Sequence, residues 1–272
     1  MQIMRDIIVL AGGVGQRLQG LTPYKALTPL GRGKGQDNQV LVKRLIEQLL
    51  SLDGGRNGSL LLAANSLLQG KVEEHLQGFE NVEIIYLNTP SSLHTFYHSM
   101  KHILRDCDLP RPPHQGAPHQ GAPHHILVSM VDSIVKDDDL KKFICFCDSL
   151  APGESALLTT THVDDEKPLR VWSRADYMPG VAAMPVDYIG DPPAESDFGD
   201  RAVITAGVYC FSANIFPLLL ECIDEGMEKM RNFLAQMVEK NYPVYAFTVE
   251  KTIDLDRPED WGQALDFLSF LS

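Results

Sequence analysis

A short apolar run that breaks directly into a glycine-rich turn is the feature that most constrains the fold of this chain. Residues 7–10 are apolar and mostly β-branched, which predicts a buried first strand. Glycines follow, and because glycine lacks a Cβ atom, backbone N–H groups at such a turn can approach a phosphate closely. Cations come next and supply charge for an anionic ligand. The segment therefore predicts a phosphate-binding turn, formed by Gly12, Gly13, Gly15, Arg17 and Lys25.

Other kinds of glycine turn fit this sequence less well. A P-loop closes with Gly-Lys-Ser or Gly-Lys-Thr, whereas Gly15 is followed by Gln16 and Arg17. The dinucleotide-binding fingerprint needs a third glycine, where this chain has Leu18, and an acid at the end of the second strand. The second strand-like run ends in Ala-Asn. A tight turn without a ligand is the remaining alternative, and the nearby cations favour the phosphate site over it.

Strand-like and helix-like runs alternate along most of the chain. The predicted strands are residues 7–10, 60–64, 82–87, 126–131, 155–161, 169–172, 203–211 and 243–249. The predicted helices are residues 40–52, 67–76, 92–104, 139–150, 215–225, 227–240 and 260–271. Such alternation predicts an α/β fold with a mainly parallel sheet, helices on both faces and ligands at the carboxyl ends of the strands.

Length and composition fit a single domain over residues 1–272. With 272 residues, 44% of them hydrophobic, the chain can bury one large core. Residues 110–125 contain the sequence Pro-His-Gln-Gly-Ala-Pro twice, with Pro118 shared between the copies, which predicts a low-complexity surface loop. Residues 162–202 are rich in Pro, Gly and Asp, which predicts a divergent region of loops with a short strand.

Charge and cysteine content narrow the function classes. A formal net charge of −12 argues against non-specific binding to nucleic acid or to an anionic membrane. No apolar run reaches the roughly 18 residues that span a bilayer. An odd number of cysteines, mostly within apolar segments, favours reduced thiols and a cytoplasmic location. The oligomeric state stays open. The cysteines are Cys107, Cys145, Cys147, Cys210 and Cys222.

Acidic residues mark two further positions. Asp132 ends the strand-like run 126–131; a helix cap is the alternative, although residues 137–139 already offer caps for the next helix. Asp254 and Asp256 alternate along a predicted extended segment and therefore point the same way. Paired carboxylates repel unless a cation joins them, and Mg²⁺ binds one or two carboxylates together with phosphate oxygens. Glu259 and Asp260 are assigned instead to the start of the last helix.

These motifs together resemble the sugar-phosphate nucleotidylyltransferases, also called NDP-sugar pyrophosphorylases. The signature of that family is Leu-Ala-Gly/Ala-Gly-x-Gly-x-Arg-Leu, then Pro-Lys-x-Leu-x-Pro, and a later Asp-x-Asp-Thr-Pro-Glu-Asp. In this chain Tyr24 stands between Pro23 and Lys25, and Arg257 replaces the common threonine. The resemblance implies a GT-A-like, Rossmann-related three-layer α/β/α sandwich. It also implies an enzyme that transfers a nucleoside monophosphate from a triphosphate to a phosphorylated acceptor, most often a sugar phosphate, and releases pyrophosphate.

The resemblance also implies roles for individual residues. Lys25 would neutralise the α-phosphate, and Arg17 would hold the departing pyrophosphate. Asp132 would bind Mg²⁺, or alternatively Mn²⁺, with Asp254, Asp256 or both. Lys167 matches the sugar-phosphate lysine of the family but comes early in the chain order, so we interpret it as a loop residue. The predicted nucleotide-binding residues are Leu10, Ala11, Gly12, Gly13, Gly15, Ser91 and Ser92.

Alternatives to this function stay open at the level of sequence. The segment from Asn88 to Leu93 is similar to its counterpart in phosphocholine-type cytidylyltransferases. A glycosyltransferase of the same fold is disfavoured, because Asp132 is followed by Ser133 where a second acid is expected nearby. A non-catalytic nucleotide-binding regulatory module is the remaining class. The sequence leaves open the base of the nucleotide and the identity of the acceptor.

Overall fold

Helices cover both faces of a central sheet in the computed structural model. The structure describes residues 6–13, 18, 22–31, 39–52, 59–106, 125–163, 167–175, 183–193, 196–198 and 202–269. The strands are β1 Asp6–Ala11, β2 Leu60–Asn65, β3 Val82–Leu87, β4 His125–Met130, β5 Ser133–Ile134, β6 Ser155–Thr160, β7 Arg170–Trp172, β8 Ala183–Pro185, β9 Tyr188–Ile189, β10 Val203–Ser212, β11 Val244–Val249 and β12 Ile253–Asp254. The α-helices are α1 Leu41–Leu52, α2 Lys71–His75, α3 Ser92–Ile103, α4 Asp137–Cys147, α5 Phe216–Asp224, α6 Met230–Glu239 and α7 Pro258–Ser269.

The central sheet is mixed but mainly parallel, as predicted. Its order is β3-β2-β1-β4-β10-β6-β11-β8, with β7 paired to β10 and β9 to β7. Among the longer strands of the described residues, β10 alone runs against its neighbours β4 and β6. Strands β5 and β12 form a separate antiparallel pair. The sheet therefore gathers the carboxyl ends of β1, β2, β3 and β4 at one edge.

Side chains that alternate along each strand build a core on either face of the sheet. In β1, Ile7 and Val9 pack with α1 and α4, whereas Ile8 and Leu10 pack with α3, α5 and α6. Strands buried on both faces are apolar throughout, which explains why the sequence signal of β1 is a continuous run. The three-layer α/β/α arrangement is confirmed.

Some local predictions were wrong. Residues 67–76 do not form one helix, because Gly70 has φ 81° and separates a 3₁₀ turn from the short helix α2. The N-cap of α4 is not one of the predicted acids. Instead, the first turn of the helix contains Asp137, Asp138 and Asp139, whose negative charges interact favourably with the helix dipole. The predicted loop at residues 110–125 lies outside the described residues except for His125, and region 162–202 is described in part. Among the described helices, none is long and apolar enough to cross a membrane.

A β-bulge in β10 brings the backbone of that strand against the β4–β5 turn. The register between β10 and β6 shifts between Thr205 and Tyr209. Gly207 lies within this bulge at φ 71°, and a Cβ atom built there would lie 2.0 Å from Oγ of Ser133. Glycine is therefore required at this position both for its backbone conformation and for the close approach.

Gly207→Ala is expected to lower the free energy of unfolding by about 2–4 kcal/mol, because it adds backbone strain and a steric clash. Gly226→Ala is the matched control: Gly226 has φ 79°, but nothing lies within 4 Å of its added Cβ. We expect this control to cost about 1–2 kcal/mol. Chemical denaturation measures both values, and equal losses would contradict the proposed clash.

Candidate active site

The glycine turn and Asp132 follow neighbouring strands at one edge of the sheet. Leu10 of β1 pairs in parallel register with Met130 of β4, and the N–H of Val131 donates to the carbonyl of Leu10 at 3.1 Å. Strands β1 and β4 therefore end at the same height in the sheet. Gly12 follows β1 and Asp132 follows β4, so a ligand at this edge of the sheet can contact both.

The β5–β12 pair brings the distant acids to the same edge. Asp254 lies opposite Ser133 in this pair, and the N–H of Leu255 donates to the carbonyl of Asp132 at 3.1 Å. Carboxylate oxygens of Asp132, Asp254 and Asp256 consequently lie within 4.8 Å of one another. We call this group the carboxylate triad.

The start of α7 fixes the end of the triad segment. Oδ2 of Asp260 accepts from the backbone N–H groups of Asp256 at 3.0 Å and of Arg257 at 2.7 Å. An acid in the first helical turn that reaches back in this way satisfies donors that the helix leaves unpaired. The prediction that Asp260 serves the last helix is confirmed, and its contact also holds the backbone of Asp256.

Lys25 pairs with two members of the triad. Its Nζ donates to Oδ2 of Asp132 and to Oδ1 of Asp256, and the residue is only 8% exposed. Burial alone would lower the pKa of Lys25, but the charges of Asp132, Asp254 and Asp256 outweigh it and raise that pKa well above its ordinary value. Lys25 is therefore a permanent cation against the carboxylates.

The extra residue before Lys25 is accommodated outside the site. The hydroxyl of Tyr24 accepts from Nζ of Lys71 at 3.1 Å, and the same ammonium lies 4.2 Å from the centre of the ring. Lys25 starts a 3₁₀ turn, and its carbonyl accepts from the hydroxyl of the buried Thr28 at 2.7 Å. Tyr24 and Lys25 thus point in different directions, and the insertion leaves the lysine beside the triad.

The described part of the glycine turn leaves room for a ligand at its backbone. A Cβ on Gly12 would lie 3.0 Å from Oγ1 of Thr95, whereas a Cβ on Gly13 would meet nothing within 4 Å. The side chains of Leu10 and Ala11 are buried in the sheet, so only their backbone could contact a nucleotide. Gly15 and Arg17 lie outside the described residues.

The two predicted serines lie at the start of α3. Ser91 is the N-cap of this helix, and its Oγ accepts from the N–H of His94 at 3.4 Å. Ser92 is the first helical residue. Ser91 thus caps this helix. The contact of both serines with a nucleotide stays a prediction. Thr95, one turn further, brings its hydroxyl next to Gly12.

The carboxylate triad fits a hard divalent cation. Oxygen ligands of one Mg²⁺ lie at most about 4.2 Å apart, because each bond is about 2.1 Å long. Oxygens that already lie within 4.8 Å of one another need only a small approach to reach that spacing. Because all the donors are carboxylates, the donor set suits Mg²⁺ or Mn²⁺ rather than a softer metal.

A cavity of about 220 Å³ adjoins the triad. The triad carboxylates form one wall, and β6, β10, α6 and the start of α7 form the others. Gly12, Gly13 and Lys25 are not part of its lining, so the cavity is distinct from the surroundings of the described glycines and of the lysine. We call it the triad cavity. Further polar and charged residues that line it are Ser133, Thr160, His162, Thr205, Tyr209, Arg231, Thr252, Arg257 and Asp260.

Solved structures of known proteins share this architecture over nearly the whole chain. A Bacillus anthracis protein assigned as a glucose-1-phosphate thymidylyltransferase matches 97% of this chain and 94% of its own, with a TM-score of 0.70 and 14% identity. The inositol-1-phosphate CTP transferase of T. maritima matches 98% and 96%, with a TM-score of 0.67 and 19% identity. A UDP-glucose pyrophosphorylase solved with UDP-glucose matches 99% and 100%, with a TM-score of 0.66 and 13% identity.

The chain has the fold of the sugar-phosphate nucleotidyltransferases. No protein-family model matches the chain, and no curated protein matches it in sequence. The predicted fold class is thus confirmed by structural likeness alone.

Sequence reasoning missed several residues that the fold brings to the site. Tyr209 lies in β10 and is buried, so that its position looks like ordinary core. Arg231 occupies the exposed side of the amphipathic helix α6 and resembles a solvated surface residue. Thr95 lies on the buried face of α3. The proximity of Tyr209 and Arg231 to the triad, and of Thr95 to Gly12, depends on how β10, α6 and α3 pack in the fold.

Proposed function

We propose that this protein transfers a nucleoside monophosphate from a nucleoside triphosphate to a phosphorylated small molecule and releases pyrophosphate. The observation that carries the proposal is the convergence of Lys25 and the carboxylate triad, from distant segments, beside the glycine turn. A permanent cation and a metal-binding carboxylate group side by side suit a reaction at a polyphosphate. When the acceptor is a sugar phosphate, the product is a sugar nucleotide.

In this proposal the N-terminal segment holds the triphosphate. Backbone N–H groups of Gly12, Gly13 and Gly15 face its oxygens, since no Cβ atom intervenes. Lys25 neutralises charge at the α-phosphate, and Arg17 holds the pyrophosphate as it leaves. The roles of Gly15 and Arg17 rest on the sequence motif.

The chemistry needs alignment and charge neutralisation more than proton transfer. An oxygen of the acceptor phosphate attacks the α-phosphorus, a new P–O bond forms, and the bond to the bridging oxygen of the pyrophosphate breaks. That acceptor oxygen is already ionised near neutral pH, because the second pKa of a phosphate ester is about 6. Mg²⁺ held by Asp132, Asp254 and Asp256 would neutralise charge on the phosphate oxygens. The protein therefore needs no general base.

Composition and the state of the cysteines support the proposals on partners and location. The excess of acidic residues favours small-molecule partners over nucleic acid or a membrane. Within the described part of the chain, Cys145, Cys147, Cys210 and Cys222 form no disulfide, which supports a reducing, cytoplasmic location. We also propose that residues 1–272 form one nucleotidyltransferase domain, in which residues 162–202 contribute to the acceptor side.

Pyrophosphate release tests the proposed function directly. The protein with Mg²⁺ is expected to release pyrophosphate from at least one pair in a matrix of common nucleoside triphosphates and phosphorylated acceptors, namely hexose 1-phosphates, inositol 1-phosphate and phosphocholine. Chelation of the metal is expected to stop the release, and its return to restore it. Triphosphate binding measured by calorimetry, without pyrophosphate from any pair, would instead favour the non-catalytic module.

A further inference from the structure

The triad cavity lies where the second substrate of the proposed reaction has to bind. It shares the carboxylates with the proposed triphosphate site but not the glycine turn or Lys25. A triphosphate on the glycine turn and a molecule in the cavity would therefore meet at the triad. The cavity is thus the acceptor side of the site, and its lining determines which phosphate ester can approach the α-phosphorus.

Arg231 is a cationic residue of this lining that keeps most of its hydrogen-bond donors for a ligand. Its Nη2 donates to the carbonyl of Lys167 at 3.1 Å, which orients the guanidinium without neutralising its charge. The structure forms no ion pair between Arg231 and any described carboxylate. By contrast, the guanidiniums of Arg170 and Arg174 bind carboxylates of the surface. A guanidinium has five N–H donors, so most of those of Arg231 remain for a ligand.

Tyr209 is a buried residue that lies near both Arg231 and the triad. Burial, and then the charges of Asp254 and Asp132, raise the pKa of Tyr209, while the charge of Arg231 opposes that rise. The guanidinium and the carboxylates therefore both lie near the same buried hydroxyl, and all of them line the triad cavity. A phosphate group bound in this cavity would be close to Arg231 and to the triad.

We propose that Arg231 binds the phosphate of the acceptor, and that the cavity selects hydroxyl-rich phosphate esters over esters with a cationic head group. This inference rests on the proposed function. Lys167, which matches the sugar-phosphate lysine of the related family, contributes its backbone carbonyl instead; its side chain is exposed and does not line the cavity.

The composition of the cavity explains the expected selectivity. A quaternary ammonium group is recognised by aromatic rings, and Tyr209 is the single aromatic residue among the described residues of the lining. The acids of the lining already have partners: Lys25 pairs with Asp132 and Asp256, and Oδ2 of Asp260 accepts from backbone N–H groups at the start of α7. A hydroxyl group of the acceptor can donate to Thr160, whose Oγ1 donates to the carbonyl of Glu250 at 3.0 Å and accepts from the N–H of His162 at 3.1 Å, because a hydroxyl oxygen has two lone pairs.

Kinetics of an Arg231→Gln variant test this inference. With a hexose 1-phosphate or inositol 1-phosphate as acceptor, we expect its KM to rise about 10- to 100-fold, since a charge-assisted bond to the phosphate is lost. The KM of the triphosphate is expected to stay within about twofold, and Arg231→Lys to recover part of the loss. Lys167→Gln removes the same charge from the neighbouring surface and is expected to leave the acceptor KM unchanged.

The outcomes separate this inference from the proposed function. Equal acceptor KM values for Arg231→Gln and wild type, or a larger effect of Lys167→Gln, would overturn the inference, as would phosphocholine as the only productive acceptor. Absence of pyrophosphate with every pair would defeat the proposed function. In that event, calorimetric titration with glucose 1-phosphate decides: binding that is lost in Arg231→Gln supports the inference, and no binding or equal binding overturns it.

Discussion

Asp132→Asn is expected to lower turnover on the order of 10³-fold with the fold preserved. The substitution keeps the size of a largely buried side chain and removes its charge from the carboxylate triad. One fewer carboxylate weakens the metal site, and the charge on the phosphate oxygens is then neutralised less well. Lys25 retains its pair with Asp256, so the local structure is expected to persist. Initial rates of pyrophosphate release at saturating substrates, with Mn²⁺ binding followed by electron paramagnetic resonance, measure both effects.

Asp138→Asn provides the control for this variant. Asp138 is an exposed acid in the first turn of α4, so the substitution makes the same chemical change away from the cavity. Turnover and Mn²⁺ affinity are expected to equal those of the wild type. If Asp132→Asn also kept both, the triad would not be the metal site.

The parts of the fold that the sequence predicts are those with strong local patterns. Strands such as β1 and β3 are continuous or alternating runs of apolar residues, and α3 has apolar residues at helical spacing. Strands β5 and β12 have two residues each, which is too short to form a pattern. Their pairing depends on tertiary contacts, although it is this pair that brings Asp254 to Asp132.

The residues of the candidate site also fall into those that a local sequence pattern predicts and those that it does not. Lys25, Asp132, Asp254 and Asp256 occur in motifs with definite spacing, so the sequence predicts them, and the structure brings them together. Arg231 lies on a helix whose pattern is that of any surface helix. Its proximity to the triad depends on how α6 packs beside β10, which no local pattern specifies.

Lys25→Met is expected to have the largest effect on stability among these variants, and an effect on activity as large as that of Asp132→Asn. In metal-free buffer we expect the free energy of unfolding to fall by about 3–5 kcal/mol, because the triad loses its buried counter-charge. The raised pKa of Lys25 means that its stabilising charge is fully present below its unfolded pKa of about 10.4 and is lost only as pH rises through the higher folded value. The contribution of this charge to the stability of the wild type is therefore expected to be constant from about pH 6 to pH 9. Guanidinium denaturation with a chelator measures it.

Divalent metal distinguishes a lost counter-charge from a packing defect. Mg²⁺ at millimolar concentration is expected to restore part of the stability of Lys25→Met, because a bound cation replaces the ammonium among the carboxylates and stabilises only the folded state. Turnover is expected to remain on the order of 10³-fold below wild type, since the α-phosphate still lacks its cation. Lys43→Met is the control, because it removes a half-exposed lysine whose Nζ lies 3.9 Å from Oε1 of Glu47. It is expected to change the free energy of unfolding by less than about 1 kcal/mol. A loss in Lys25→Met that Mg²⁺ leaves unchanged would mean that the triad and the ammonium do not form one electrostatic unit, and the proposed site would lose its physical basis.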